Sequence, residues 1–214
     1  PPPPPPPHRP PAPPTFLVFE VHATEFAGEA YHEDAPCWGT VFGLHALGAP
    51  LRDKRLRLNP GFCIGGGGGL ALCCDLRIAK DVSTYAGPAA KLGLGYRADG
   101  LTRLVDVVGP SFAKEIFYTA RQFNPTEALG MGLINRIVPR TILNTYVNDY
   151  AQTIARNAPL TIFAAKVVID ELIKPDGGDE ARMAQVVDDC FNSADYQEGR
   201  KAFMEKRKPN FKGK

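Results

Sequence analysis

Cysteine is scarce in this sequence and carries no pattern. The 214 residues hold five, Cys37, Cys63, Cys73, Cys74 and Cys190, an odd number without a CxxC pair. That argues against a disulfide framework and against a zinc site. Cys73 and Cys74 lie together in an apolar run, where thiols behave as small hydrophobes. A reducing compartment, the cytosol or an organelle matrix, is therefore expected. An excess of charge of one sign is missing too. The formal net charge is only +2, so neither nucleic acid nor an anionic membrane surface is expected as a partner. No apolar run approaches the roughly 18 residues that span a bilayer, and the start lacks the apolar core of a signal peptide. The histidines, His8, His22, His32 and His45, have no regular spacing with Asp, Glu or Cys. No metal and no catalytic triad are expected from them.

What is present is ordinary globular material, 44% apolar and 22% charged, long enough for one sizeable core. Four segments differ in texture. Residues 1–14 contain eleven prolines, a composition that favours polyproline II or disorder and reads as a tail or as a ligand for an aromatic groove. Residues 15–57 match little. Thr15–Val21 reads as one strand, and beyond it no period of 2 or 3.6 is sustained. Arg52–Arg57, with four basic residues in six, reads as a solvated segment, because no aromatics interleave with the charge.

From residue 58 the pattern sharpens. Phe62–Ile64 is a short apolar piece, Gly65–Gly69 follows, and Leu70–Cys74 reads as the start of a buried helix. Leu76–Ala79 and Leu133–Val138 read as strands. Leu101–Val108 and Ser111–Thr119 read as two helices, stopped and restarted by Gly109-Pro110. Asn124-Pro125 is an N-cap with proline at the first helical position, opening Thr126–Met131. Ile142–Arg156, Leu160–Ile173, Ala181–Phe191 and Gln197–Lys206 carry helical spacing. Strands mixed with helices, then helices alone, predict an α/β layer followed by a helical region.

The glycine run is the most unusual local feature. Glycines between a strand and a helix let the backbone approach a ligand and present N–H groups to an anion. A phosphate loop is excluded, because no lysine follows. A dinucleotide loop matches only formally, as Gly66, Gly68 and Ala71, with Pro60 breaking the strand before it. An oxyanion hole, with a glycine N–H facing a thioester oxygen, and a plain strand-to-helix packing turn both remain open.

The stretch from Asn59-Pro60-Gly61 through Gly65-Gly66-Gly67 to Leu76-Arg77-Ile78-Ala79 resembles the second signature of the crotonase (enoyl-CoA hydratase/isomerase) superfamily. The similarity continues in Lys91-Leu92-Gly93, Arg103-Leu104, Ala128-Leu129-Gly130-Met131-Gly132-Leu133 and Ala202-Phe203-Met204-Glu205-Lys206-Arg207. It runs from residue 58 to 214. The resemblance implies an α/β fold, the crotonase-type spiral of ββα turns, incomplete or divergent at its N-terminus, with a C-terminal helical region. The implied division is a proline-rich tail at 1–14, a poorly matched segment at 15–57, a spiral core at 58–140 and a helical, oligomerising region at 141–214. The implied partners are an acyl-CoA thioester, as in fatty-acid metabolism, and like chains in a homo-trimer or hexamer. No metal or redox cofactor is implied.

By motif position, the resemblance makes Gly66 an oxyanion N–H donor, with Gly65 and Gly67 beside the substrate. The other donor belongs to an upstream stretch that is absent here; Phe26-Ala27-Gly28 is only an echo of it. Hydratases use two glutamates on one water, and Gly69 and Ala89 stand at those positions. Neither side chain transfers a proton. Asp99 is the nearest ionisable candidate for acid–base work, or else a turn residue before Gly100. Phe203 and Lys206 match positions beside the CoA adenine and phosphates, a role a lysine fills as a point charge; otherwise Lys206 is one of several solvated cations. Two functions follow as expectations: an enolate-stabilising acyl-CoA enzyme of the hydratase/isomerase type, or a catalytically silent CoA-binding or assembly subunit.

Overall fold

The computed structural model describes the backbone at 17–18, 42–44, 55–59 and 62–64, residues Ala71 and Leu72, and the chain from Cys74 to Lys214, with Asp99 described by its backbone alone. The strands are β1 (Leu17–Val18), β2 (Phe42–Leu44), β3 (Arg55–Asn59), β4 (Phe62–Ile64), β5 (Leu76–Lys80), β6 (Thr84–Ala86), β7 (Gln122–Phe123) and β8 (Arg136–Val138). The helices are α1 (Ala89–Leu92), α2 (Ala98–Thr119), α3 (Pro125–Gly130), α4 (Leu143–Ala155), α5 (Pro159–Leu172), α6 (Glu180–Phe191) and α7 (Ala194–Met204). Among the described residues, no helix is long and apolar enough to cross a membrane. The described residues fall into two units, one ending at Ala151 and one beginning at Gln152.

In the first unit the pairing repeats. β3, β5 and β8 lie parallel in succession, with Leu58 opposite Ile78 and Ile78 opposite Arg136. β4 lies parallel to β6, with Phe62 opposite Thr84 and Ile64 opposite Ala86. β7 closes that second sheet antiparallel to β6. Each pair of strands is thus laid beside the next pair after a helical connection, which is the ββα spiral. β2 runs antiparallel to β3 and β5, and β1 runs parallel to β3. Arg55–Asn59 is therefore a strand of the sheet, and the reading of Arg52–Arg57 as a mere solvated segment missed it.

Arg77, Ile78 and Ala79 are consecutive in β5 and all buried. Both faces of that strand are covered, as parallel sheets require. Buried Arg77 needs partners, and it has them. Its Nε donates to the Leu133 carbonyl at 2.6 Å, and a terminal nitrogen donates to the Cys74 carbonyl at 2.6 Å. Its backbone exchanges bonds with Asn135, whose Oδ1 and N both lie 2.7 Å away. The strand expected over Leu133–Val138 begins only at Arg136 for this reason: Leu133 and Ile134 turn back to the Ala128 carbonyl. The core of this unit gathers Ala79, Tyr85, Leu104, Ile116, Phe123 and Met131.

Local signals set the helix ends. Asn124 caps α3 in a closed capping box, its Oδ1 accepting from the Glu127 N–H at 2.9 Å while Glu127 accepts from the Asn124 N–H at 2.8 Å. The same Glu127 pairs with Arg121 at 2.7 Å, whose guanidinium stands 3.8 Å from the Phe123 ring. Gly109, at φ 73° and ψ 166°, breaks α2 where Pro110 restarts it. In the second unit Asp179 caps α6 and Ser193 caps α7. Glu171 is only 2% exposed. It accepts from Lys174 at 2.6 Å, from the Asp179 N–H at 2.9 Å and from Arg182 at 3.1 Å. Those partners, Lys174 first, hold its carboxyl below the ordinary range, and together they tie α5 to α6.

Candidate functional site

The register of the second sheet places the chemistry-bearing segments. β4 and β6 are parallel neighbours, and Ile64, the last residue of β4, is opposite Ala86, the last residue of β6. The chain leaves β4 into Gly65–Gly69 and leaves β6 into Gly87-Pro88-Ala89. The two strands that precede these segments therefore end at the same edge of the same sheet. Gly65, Gly66, Gly67 and Gly69 themselves lie outside the described residues, and helix resumes at buried Ala71. Ala89 opens α1 and is 3% exposed; its methyl group cannot exchange a proton. At Gly87 a Cβ would stand 2.9 Å from Cγ2 of Ile116, so glycine is what lets β6 end directly against α2.

Asp99 lies by its backbone in the first turn of α2, after the extended Arg97. It is a helical residue rather than part of a loop turn, and its side chain lies outside the described residues. Next to it the Tyr96 ring meets Phe117 edge-on at 5.0 Å. Leu92, Leu94 and Tyr96 all expose apolar surface at this end of the unit.

Phe203 and Lys206 belong to the second unit, at the C-terminal end of α7. Phe203 is 82% exposed. The Arg207 N–H donates to the Ala202 carbonyl at 3.0 Å and the Lys206 N–H to the Phe203 carbonyl at 3.2 Å. These two bonds make a Schellman ending, in which Lys206 takes the left-handed position with φ 53°. Glycine is the usual occupant there, since a side chain in this conformation is strained.

Beyond Lys206 the chain doubles back along α7. Glu198 accepts both terminal nitrogens of Arg207, at 2.6 and 2.9 Å, and the Asn210 N–H at 2.9 Å. Asp195, buried in the first turn, accepts the N–H groups of Lys212 and Gly213 at 2.6 and 2.7 Å. The Phe211 ring closes over Gly199, where a Cβ would be 3.4 Å away. The sequence reading missed Asp195 because it started the last helix at Gln197, and missed the role of Glu198 because its partners, Arg207 and Asn210, lie nine and twelve residues on. Ser193-Ala194-Asp195, an N-cap followed by a first-turn carboxylate, was the available signal.

This clasp titrates. The Arg207 guanidinium, then the Asn210 N–H, push the Glu198 carboxyl from its ordinary 4.5 down to about 2. A depressed carboxyl contributes stability that is present above the unfolded value and lost as pH falls through the folded one. The clasp is therefore expected to loosen between pH 4.5 and about 2. Thermal melting across that range should show a steep loss in the parent chain and a shallower one in Glu198→Gln. Equal slopes would remove Glu198 from the account.

Comparison with known proteins agrees with the geometry. A crotonyl-CoA hydratase of Syntrophomonas wolfei is 37% identical over 152 residues, covering 71% of this chain and 58% of that protein. A carnitinyl-CoA dehydratase of Proteus mirabilis is 35% identical over 159 residues, covering 72% and 61%. The crystal structure of an enoyl-CoA hydratase from Bacillus anthracis superposes with a TM-score of 0.67 at 33% identity, covering 73% of this chain and 61% of that one. The chain thus spans about three fifths of the length of such relatives. The sequence profile described as enoyl-CoA hydratase/isomerase matches residues 58–214, and with the parallel ββα pairing this means that the chain belongs to the enoyl-CoA hydratase/isomerase family.

Proposed function

We propose that the chain binds an acyl-CoA thioester at the shared end of β4 and β6, with the Gly66 N–H donating to the thioester oxygen as an enolate forms, and Gly65 and Gly67 beside the acyl group. The observation that carries this reading is the parallel register of β4 and β6, which ends the two strands opposite each other, with the glycine run next in sequence after one and Gly87–Ala89 after the other. A preorganised N–H at a developing oxyanion favours the enolate over the ground state. Stabilising an enolate in this way calls on no metal or redox cofactor. Asp99 would supply a proton-transfer group. The relatives named as hydratase and dehydratase of CoA esters support this substrate class.

The silent CoA-binding subunit is the second reading, favoured by one observation: Ala89, at a hydratase glutamate position, is a buried methyl group. Both readings share CoA binding. In both, Phe203 offers an exposed ring for the adenine and Lys206 a charge for a phosphate. Lys206 occupies a backbone position where glycine would be less strained, which fits a lysine kept for its side chain. Lys206→Gly should accordingly raise stability by about 1 kcal/mol, and a lost charge-assisted contact should weaken CoA binding about tenfold. Chemical denaturation and titration calorimetry with CoA read the two effects. Unchanged affinity would leave Lys206 as one solvated cation among several.

The assembly we propose is a homo-trimer or hexamer. Ile169, Leu172 and Ile173, at the end of α5, are 59%, 65% and 50% exposed, an apolar surface suited to a like chain. Sedimentation over a range of concentrations should find trimers or hexamers; a monomer throughout would overturn this.

A further inference from the structure

A groove lies wholly within the C-terminal unit. Helices α5, α6 and α7 and the returning tail border an open groove of about 720 Å³, within the range of small-ligand sites. Its walls come from Val168, Val187, Cys190, Phe191, Tyr196 and Phe211, among others. Three of the polar side chains along it, Ser193, Asp195 and Thr161, are already engaged by the protein. Ser193 Oγ donates to the Cys190 carbonyl at 2.7 Å and accepts from the Tyr196 N–H at 3.0 Å. Asp195 is taken up by the tail N–H groups. Thr161 is hydrogen-bonded to Cys190, whose thiol is pushed up chiefly by burial. A polar group placed against these three side chains would give up water for partners already taken, which costs free energy. A hydrocarbon chain loses nothing there and gains burial.

One group on the groove is charged and open. Arg200 is exposed on its lining, and its guanidinium stands 5.7 Å from the Tyr196 ring. Tyr196 in turn meets Phe191 edge-on at 5.3 Å. The sequence along the groove is thus a cation, two aromatic rings, then aliphatic wall. An unbranched chain with an anionic end matches that order.

We propose that the groove between α5, α6 and α7 binds a fatty acid, its chain on Val168, Val187 and Phe191 and its carboxylate at Arg200. This goes beyond the acyl-CoA reading: Phe203, the ring given there to the adenine, also borders the groove, but Arg200, Val168, Val187 and Phe191, on which the proposal rests, are assigned to neither the thioester nor CoA. Cys190 reports occupancy from inside the groove. In the full chain, the rate of Cys190 alkylation, read by peptide mass spectrometry, should fall several-fold as dodecanoate is added below its micelle concentration. Dodecanol tests the chain without the charge. Arg200→Gln should weaken protection by dodecanoate about tenfold and leave dodecanol unchanged, and Arg200→Lys should restore most of it. Unaltered Cys190 rates with dodecanoate would overturn the proposal. So would an equal response of the two ligands to Arg200→Gln. Protection that rises with protein concentration and needs no ligand would also overturn it, by assigning the groove to a second copy of the chain.

Discussion

Hydration of crotonyl-CoA by the purified chain is expected to fall at least about 10⁴-fold below that of an ordinary hydratase, and so to escape a standard spectrophotometric assay. The rate factors of a lost acid and a lost base multiply. A positioned acid or base is worth roughly 10²–10⁴-fold, and both positions that hold glutamate in hydratases lack an ionisable group here, Gly69 and Ala89. Ala89 is also buried in the first turn of α1, so no side chain of its own can hold the water between them. Binding is a separate matter, since the main-chain donor proposed at Gly66 depends on neither side chain. CoA esters should therefore bind without being hydrated. Turnover near that of a hydratase would show that another group has taken over, and Asp99→Asn is the first variant to test. Its abolition of such turnover would give Asp99 the role; its neutrality would send the search elsewhere.

Arg77→Met is expected to destabilise the spiral unit by about 3 kcal/mol or more. The substitution keeps much of the side chain's volume but removes the donors to two carbonyls, those of Leu133 and Cys74. Arg77 is 8% exposed, so water has little access to replace them, and each buried unsatisfied group costs about 1–3 kcal/mol. The effect should spread along the chain. Cys74 follows the helix that begins beyond the glycine run, and Leu133 follows α3, so Arg77 ties two connections to the middle of β5. Urea unfolding with an unchanged m-value would read the loss. A loss below about 1 kcal/mol would mean that the loops relax to satisfy themselves.

The parts of the fold legible in the sequence were those fixed by neighbours in the chain. Gly109-Pro110 announced the break in α2, and Asn124-Pro125 announced the start of α3, because each acts through its own backbone and the next few residues. The helices of the C-terminal unit were legible from spacing for the same reason. β6 and β7, three and two residues long, are too short to show a period. β3 did show one: Arg55-Leu56-Arg57-Leu58 alternates, but its run of charge drew the reading away from a strand. The partners of Arg77 and the clasp on α7 join residues far apart in sequence, and no local pattern encodes them. At the candidate site, the sequence supplied the residues; the register of β4 on β6 adds that the strands preceding Gly65 and Gly87 end opposite each other, Ile64 against Ala86, a relation set by sheet pairing alone.

Gly109 shows how space and backbone can disagree about what a position tolerates. Nothing lies within 4 Å of where its Cβ would be, so by packing alone any residue fits. Its φ of 73° with ψ of 166°, however, falls in a region essentially closed to all residues but glycine. Pro110 follows at once and offers no N–H with which to rebuild the turn. In a survey of every substitution along the chain, this open, roomy site would behave like one in the centre of the core.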